Sequence, residues 1–213
     1  MDQQEWNEYY ENTDEVWAEP DSDLIDEVER LPAGRALDLG AGEGINSIWL
    51  AEQGWQVKAV DFSTTAVIKI ELAARQRNLP IQAQVADILI YQDNVEYDLV
   101  IICYIHLPPE ERAHLLMNAA SSMAPNGTFL FIGFPNGDAF GGDNGHEDAG
   151  ASPDEEPSHD MDNLFATGDE IVELLPRYLI VERNETLQRS FAWGEETFES
   201  QVVVVRARLV DQR

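Results

Sequence analysis

The sequence predicts an α/β fold: a mostly parallel β-sheet with helices on both faces, closed by an antiparallel β-hairpin. Three observations predict it. From Arg35 to Phe134, short apolar runs alternate with stretches of helical periodicity, the pattern of repeated strand–helix units. The run from Tyr97 to Cys103 is almost wholly apolar, as a parallel strand buried on both faces must be. Two β segments follow near the end, Tyr178 to Leu187 and Ser200 to Leu209, with Ala192-Trp193-Gly194-Glu195-Glu196 between them.

The first 20 residues set Trp6, Tyr9, Tyr10, Val16 and Trp17 among acids. Trp6, Tyr9 and Tyr10 share a helical face. So dense a group of aromatics in an acidic arm, residues 1–31, is expected to cover something apolar. That is either the edge of the domain or, as a lid, a small-molecule pocket containing Tyr10 and Trp17. Asp21-Ser22-Asp23 caps a helix from Leu24 to about Leu31, which Pro32-Ala33-Gly34 ends.

Arg35 to Leu39 is the first strand. Gly40, Gly42 and Gly44 follow at alternate positions, then a helix from Ile45 to Glu52 with Gly54 just past its end. Gln56 to Val60 is the second strand and runs into Asp61. Thr64 to Arg77 is a helix that Asn78-Leu79-Pro80 stops. Ile81 to Val85 is the third strand, leading to Asp87. After the fourth strand, Pro108-Pro109-Glu110-Glu111 opens a helix to about Met123, with proline and acids suited to a first turn. Pro125-Asn126-Gly127 is a turn, and Thr128 to Phe134 is the fifth strand. Residues 135–163 are rich in Gly, Pro, Asp and Glu, a composition that favours a mobile loop. Thr167-Gly168-Asp169-Glu170 is a capping box for a short helix to about Leu175. The 213 residues are expected to form one domain.

The formal net charge is −28, from 41 Asp and Glu against 13 Lys and Arg. No basic residue precedes Arg30, and none lies between Arg112 and Arg177. Phosphate backbones and anionic membranes need cations to replace counterions, so neither is an expected partner. The charge reads as a solvated surface, a salt adaptation being one form of it, with attraction of a cationic substrate as the alternative. One cysteine, Cys103, excludes a disulfide framework and a cysteine-based zinc cluster. No apolar run is long enough to span a bilayer and no leader pattern is visible, so a cytoplasmic chain is expected. His146 and His159 stand among acids with no diagnostic metal-ligand spacing, and no metal is expected.

The glycine loop identifies the ligand class. A dinucleotide loop would read G-x-G-x-x-G, but here the third glycine comes one residue early. No Gly-Lys-Ser/Thr follows, which excludes a P-loop. An acid, Asp38, stands two residues before Gly40, and no side-chain cation is offered. Such a loop disfavours pyrophosphate and suits a ligand with cationic groups, such as the sulfonium and ammonium of S-adenosylmethionine. Asp38 and the backbone at Gly40 are the expected contacts of its methionine end. Asp61 can accept from two ribose hydroxyls. Phe62 can lie against adenine, and Asp87 can accept from the adenine amino group. Each acid ends a strand, where open α/β sheets bind ligands.

On these residues the chain resembles the class I S-adenosylmethionine-dependent methyltransferases. Ala36-Leu37-Asp38-Leu39-Gly40-Ala41-Gly42-Glu43-Gly44 is similar to their first motif, Ala59-Val60-Asp61-Phe62-Ser63 to the second and Val85-Ala86-Asp87-Ile88 to the third. Tyr97-Asp98-Leu99-Val100 and Ala124-Pro125-Asn126-Gly127-Thr128 are similar to the later ones. The resemblance implies a Rossmann-like seven-stranded sheet with its last strand antiparallel and the cofactor across the strand ends, Ile88 and Cys103 included in its contacts. The aromatic arm, Asn46-Ser47-Ile48-Trp49-Leu50-Ala51 and Tyr104-Ile105-His106-Leu107-Pro108-Pro109-Glu110-Glu111-Arg112 are similar to the tellurite-resistance and thiopurine type. That implies a small-molecule acceptor methylated on S, O or N.

His106 follows the fourth strand and is the candidate base, with Tyr104 beside it to orient the acceptor. The alternative for His106 is a structural histidine at the start of the Pro108 helix. Cys103, as a lone cysteine, also reads as a small buried hydrophobe. A protein methyltransferase and a non-catalytic cofactor-binding protein of the same fold stay open as rival functions.

Overall fold

The computed structural model describes residues 2–12, 19–135, 162–193 and 196–210. Its elements run in the order α1 (Gln3–Asn12), α2 (Ser22–Val28), β1 (Arg35–Leu39), α3 (Ile45–Glu52), β2 (Gln56–Asp61), α4 (Thr64–Arg77) and β3 (Ile81–Val85). Then come β4 (Tyr97–Cys103), α5 (Pro109–Ser121), β5 (Met123–Gly133), a 3₁₀ turn (Asp162–Leu164), α6 (Gly168–Leu174), β6 (Leu179–Trp193) and β7 (Glu196–Leu209). The strands form one seven-stranded sheet in the order β3-β2-β1-β4-β5-β7-β6. β1 to β5 are mutually parallel; β7 is antiparallel to β5, and β6 to β7. The Rossmann-like architecture expected from the sequence is therefore present. The order reverses between β1 and β4, which opens a crevice at the carboxyl ends of those strands.

Period-two alternation builds a core on each face of the sheet. In β4, Val100 and Ile102 pack with Leu37, Phe129, Leu115 and Leu116 on one face. Leu99 and Ile101 pack with Ala36, Leu50, Val57 and Leu130 on the other. Leu99, Val100, Ile101 and Ile102 are each 0% exposed. The helices start where short-range chemistry tells them to. Asp21 accepts from Leu24 N, Ser63 accepts from Ala66 N, and Thr167 with Glu170 makes a complete capping box. Asn78 ends α4 in the left-handed conformation, at φ 53°.

Four boundaries differ from the sequence reading. α2 stops at Val28, three residues before Leu31. α5 stops at Ser121. The Pro125–Gly127 turn does not precede β5 but interrupts it: Met123 already pairs with Tyr97, and pairing resumes at Thr128 opposite Leu99. The hairpin strands are longer than the apolar runs that announced them, because pairing continues from Leu187↔Val202 to Trp193↔Glu196. β5 reaches only Val203 of β7. The distal half of the hairpin therefore projects past the carboxyl edge of the sheet. The loop expected over 135–163 lies, but for its ends, outside the described residues.

α2 is fastened to the hairpin by buried charge. Glu27 receives Arg183 and, at 2.6 Å, Arg206. Asp23 receives the Arg189 guanidinium at 2.6 and 3.0 Å. Asp23 and Glu27 are 1% and 6% exposed, so each acid needs its partner to offset desolvation. No helix among the described residues is long and apolar enough to cross a membrane. Because Arg183 and Arg206 keep some solvent contact, Glu27→Gln is expected to lower unfolding free energy by about 2 kcal/mol, less than for a fully buried pair. Urea denaturation monitored by tryptophan fluorescence measures it.

Candidate active site

The glycine loop leaves β1 with Gly40, Gly42 and Gly44 at φ 79°, 54° and 82°. Gly40 N and Ala41 N both donate to the Val60 carbonyl, at 2.8 and 3.1 Å, which pins the loop to the end of β2. Gly42 N donates to Asp61 Oδ2 at 2.8 Å, and Ser63 N to Asp61 Oδ1 at 2.8 Å. A Cβ on Gly42 would lie 3.1 Å from the Tyr10 hydroxyl, and one on Gly44 only 2.6 Å from Ile70 Cγ1. A side chain at either place meets both an unfavourable φ and an occupied space.

Asp38 is 2% exposed and accepts from Ser47 Oγ at 2.7 Å. Burial pushes its carboxyl up to about 7, against the Ser47 hydrogen bond and with help from the Asp61 charge. Burial also raises Asp61, opposed by the N–H groups of Ser63 and Gly42. These two acids and the loop form one cradle. Phe62 is half-buried beside it, its carbonyl accepting from Gln3 Nε2 at 2.5 Å. Asp87 is exposed; it caps a turn, accepting from Leu89 N at 2.9 Å. Ile88 packs on the core beside Gly40. Burial raises the Cys103 thiol well above its ordinary value, with Asp21 and Asp38 as the nearby charges. That thiol is neutral at ordinary pH.

α1 lies across the cradle. Asn7 Oδ1 accepts from Ser63 Oγ at 2.7 Å and from Thr65 N at 3.3 Å. Trp6, Tyr9 and Tyr10 form a ring cluster with centroids 5.5 Å apart. Burial, with Asp61 and Glu43 adding to it, raises the Tyr10 phenol. No residue of α1 is fully buried, so the helix is lightly held. Trp17, His146 and His159 lie outside the described residues.

On the other side of the crevice, Tyr104 sits in the left-handed region at φ 56°. Its hydroxyl donates to Asp21 Oδ2 at 2.6 Å, and its N–H to the Ile132 carbonyl at 2.7 Å. Its ring lies 4.9 Å from Phe134 and 6.4 Å from Phe191, centroid to centroid. His106 stacks on Phe134 at 5.8 Å and leans on Phe165 at 4.6 Å. Its Nε2 is enclosed with no hydrogen-bond partner among the described residues. Burial, and then the Arg112 charge, lowers the imidazole to about 4. Arg112 Nη2 donates to the carbonyls of Leu107, Asn163, Leu164 and Phe165 at 2.7–3.1 Å, locking the segment before α6 to the loop that carries His106. His114 is exposed on α5. Among the described residues no group of three His, Cys, Asp or Glu is placed to hold a metal ion.

Residue types alone did not single out Asn7, Ser47, Phe165 or Phe191. Asp21 reads in sequence only as a helix cap; its bond to Tyr104 spans 83 positions.

The sheet order, the left-handed glycine loop and the acid closing it are those of a class I S-adenosylmethionine-dependent methyltransferase. Solved structures share the architecture. One, from work on conversion of a disulfide bond into a thioacetal group during echinomycin biosynthesis, superposes with a TM-score of 0.78 at 18% identity over 99% of this chain and 93% of that one. The N-methyltransferase NodS from Bradyrhizobium japonicum, in complex with S-adenosyl-l-homocysteine, gives 0.71 at 16% identity over 98% of each chain. The family model of the tellurite resistance protein TehB matches residues 3–142, and the chain belongs to that family. A curated relative, hemagglutinin 1 of Eikenella corrodens, is 30% identical over 114 residues, 52% of this chain and 38% of that protein. The matched segment spans about half or less of the curated relatives' own length.

Because Asp38 is protonated more readily folded than unfolded, its contribution to stability is complete below about pH 3.8 and is lost as pH rises through about 7. Asp38→Asn is expected to lack this limb. Urea midpoints of the two proteins should diverge from the acid to the neutral side of that window, the wild type falling relative to the variant.

Proposed function

We propose that this chain transfers a methyl group from S-adenosylmethionine to a small-molecule acceptor by in-line displacement. The observation that carries the proposal is the cradle: an acid that already accepts from Gly42 N and Ser63 N, with lone pairs to spare on both oxygens. Asp61 would hold the ribose, Gly40 and Asp38 the methionine end, and Phe62, Asp87 and Ile88 the adenine. When bound, S-adenosylmethionine supplies a methyl on a sulfonium sulfur, which keeps the bonding pair when an acceptor lone pair takes the carbon.

The chain's own residues supply position and dryness. α1 closes over the glycine loop through Asn7 and Tyr10 and excludes water from it. The loop after β4 carries Tyr104 and His106, with Cys103 beneath. Asp21 fixes the Tyr104 hydroxyl, so that ring can orient an acceptor. His106, neutral at ordinary pH, can take an acceptor proton at Nε2. Holding reactants in line supplies several kcal/mol, up to about 7–11 in well-oriented models. The single cysteine and the acidic surface fit a cytoplasmic setting.

Calorimetry tests the reading directly. The protein should bind S-adenosylhomocysteine with micromolar affinity, and Asp61→Ala should weaken it by about tenfold or more. Unchanged affinity in the variant would remove the ribose assignment. If His106 takes the proton, the acid limb of the pH–rate profile falls near pH 4 rather than 6.5, and His106→Ala abolishes that limb.

A further inference from the structure

The sheet ends in two edge strands, β3 and β6, and they are finished differently. β6 carries Glu182, Arg183, Glu185 and Arg189, and its pairing with β7 shifts register at a bulge between Val181 and Arg183. Charge and a bulge both keep a free edge from recruiting another strand. β3 has neither. It reads Ile81-Gln82-Ala83-Gln84-Val85, and no charged residue stands from Asn78 to Ala86. Its register with β2 is unbroken from Val57↔Ile81 to Asp61↔Val85. Among the described residues no strand pairs with its other side.

The direction of the backbone groups follows from the ladder. Val57 N donates to Pro80 O at 3.0 Å, and Ala86 N to Asp61 O at 2.9 Å. Even-numbered residues thus bond to β2, and the backbone groups of Ile81, Ala83 and Val85 point away from it; the Ile81 N–H turns back to Leu79 O at 2.9 Å. Ile81 packs against the core and Ala83 shares its face, while Gln82 and Gln84 are exposed on the other. Beside the strand a groove of about 420 Å³ opens against α4, lined by Glu71, Ala74, Arg75 and Asn78 together with Ile81 and Ala83. Ile68 and Leu72, seven and three residues before Arg75 and so on its side of α4, are 51% and 50% exposed, and Val85 is 41% exposed. Charge is locally reversed: from Phe62 to Ala86, Lys69, Arg75 and Arg77 outweigh Glu71, in a chain of net charge −28. A second copy is repelled by most of this molecule and least at this edge.

We propose that β3 pairs antiparallel with β3 of a second copy of this chain, about a two-fold axis at Ala83. The strand reads almost the same in both directions, so the two-fold sets Ile81 opposite Val85 of the second copy and Gln82 opposite its Gln84. The first pair covers exposed apolar surface on the face that packs on α4. The second sets amide against amide, and each amide both donates and accepts. Ala83 meets Ala83, so odd-numbered residues oppose one another, the parity that the outward backbone groups require. Five residues a side make a small contact, so the dimer is reversible and depends on protein concentration. The inference is independent of the methyltransferase reading.

Sedimentation velocity of the full chain, from about 5 to about 500 µM, should show a monomer giving way to a dimer. Raising salt to about 0.5 M should strengthen the dimer, because screening weakens the repulsion between two acidic molecules. Two double variants at exposed positions fix the register. Gln82→Lys with Gln84→Lys sets like charges opposite one another twice and should raise the dissociation constant about tenfold or more. That variant is less acidic than the wild type, so general repulsion does not explain its loss of dimer. Gln82→Lys with Gln84→Glu sets opposite charges at the same places and should dimerise at least as well as the wild type. Matched circular dichroism and urea midpoints separate a lost contact from a lost fold. A chain that stays monomeric over the whole range would overturn the proposal, as would equal dissociation constants for the two double variants. Ile180→Lys, on the β6 edge, should leave the dimer unchanged; loss of the dimer in that variant would put the contact on β6 and overturn the proposal as well.

Discussion

The carboxylate of Asp61 ties together the elements of the glycine-loop cradle. One oxygen accepts from the glycine loop at Gly42, the other from Ser63 at the entry to α4. Ser63 in turn caps α4 through Ala66 N and donates to Asn7 of α1. An apolar residue at this place would leave two N–H groups short of an acceptor. An acid here costs desolvation, and the same two N–H groups offset it. The glycine loop, the start of α4 and, through Ser63, the seat of α1 thus meet at a single group.

A second constraint is charge. With 41 acids and 13 cations, the arginines near the crevice have structural tasks, and those tasks place side chains of the candidate site. Asp23 and Glu27 hold α2 to the hairpin through Arg189, Arg183 and Arg206. α2 so held presents its cap, Asp21, to Tyr104. Arg112 binds carbonyls instead of a carboxylate and so joins the loop of His106 to Phe165. The cost of burying that guanidinium is met by four oxygens, and its charge contributes to keeping His106 neutral.

Strands β1 to β4 and helices α3 and α4 could be read from the chain to within a residue. Their signals are local: a buried strand is a continuous apolar run, a helix is an apolar face plus a cap, and Asn78 or Gly54 ends what precedes it. The apolar runs understate the hairpin because residues 188–190 are polar and only Phe191 and Trp193 among 188–193 are large and apolar, and pairing with β7 defines the segment as strand. The turn at Pro125–Gly127 was legible as a turn, but its position inside β5 depends on the register with β4. The cradle residues were legible because glycine and acid chemistry at strand ends is positional. The aromatic group around Tyr104 and His106 was not, because Phe134, Phe165 and Phe191 come from three separated segments.

By itself the sequence determined the alternation of strands and helices, the glycine loop with its acids and the excess of negative charge, since each depends on residue type and on neighbours within a few positions. Only the tertiary structure decided which acids are buried, which cations are spent in pairs, where α1 lies and how Asp21 meets Tyr104. Those contacts join residues about 20 to 180 positions apart, and their energies depend on a shared, water-poor location that no stretch of sequence contains.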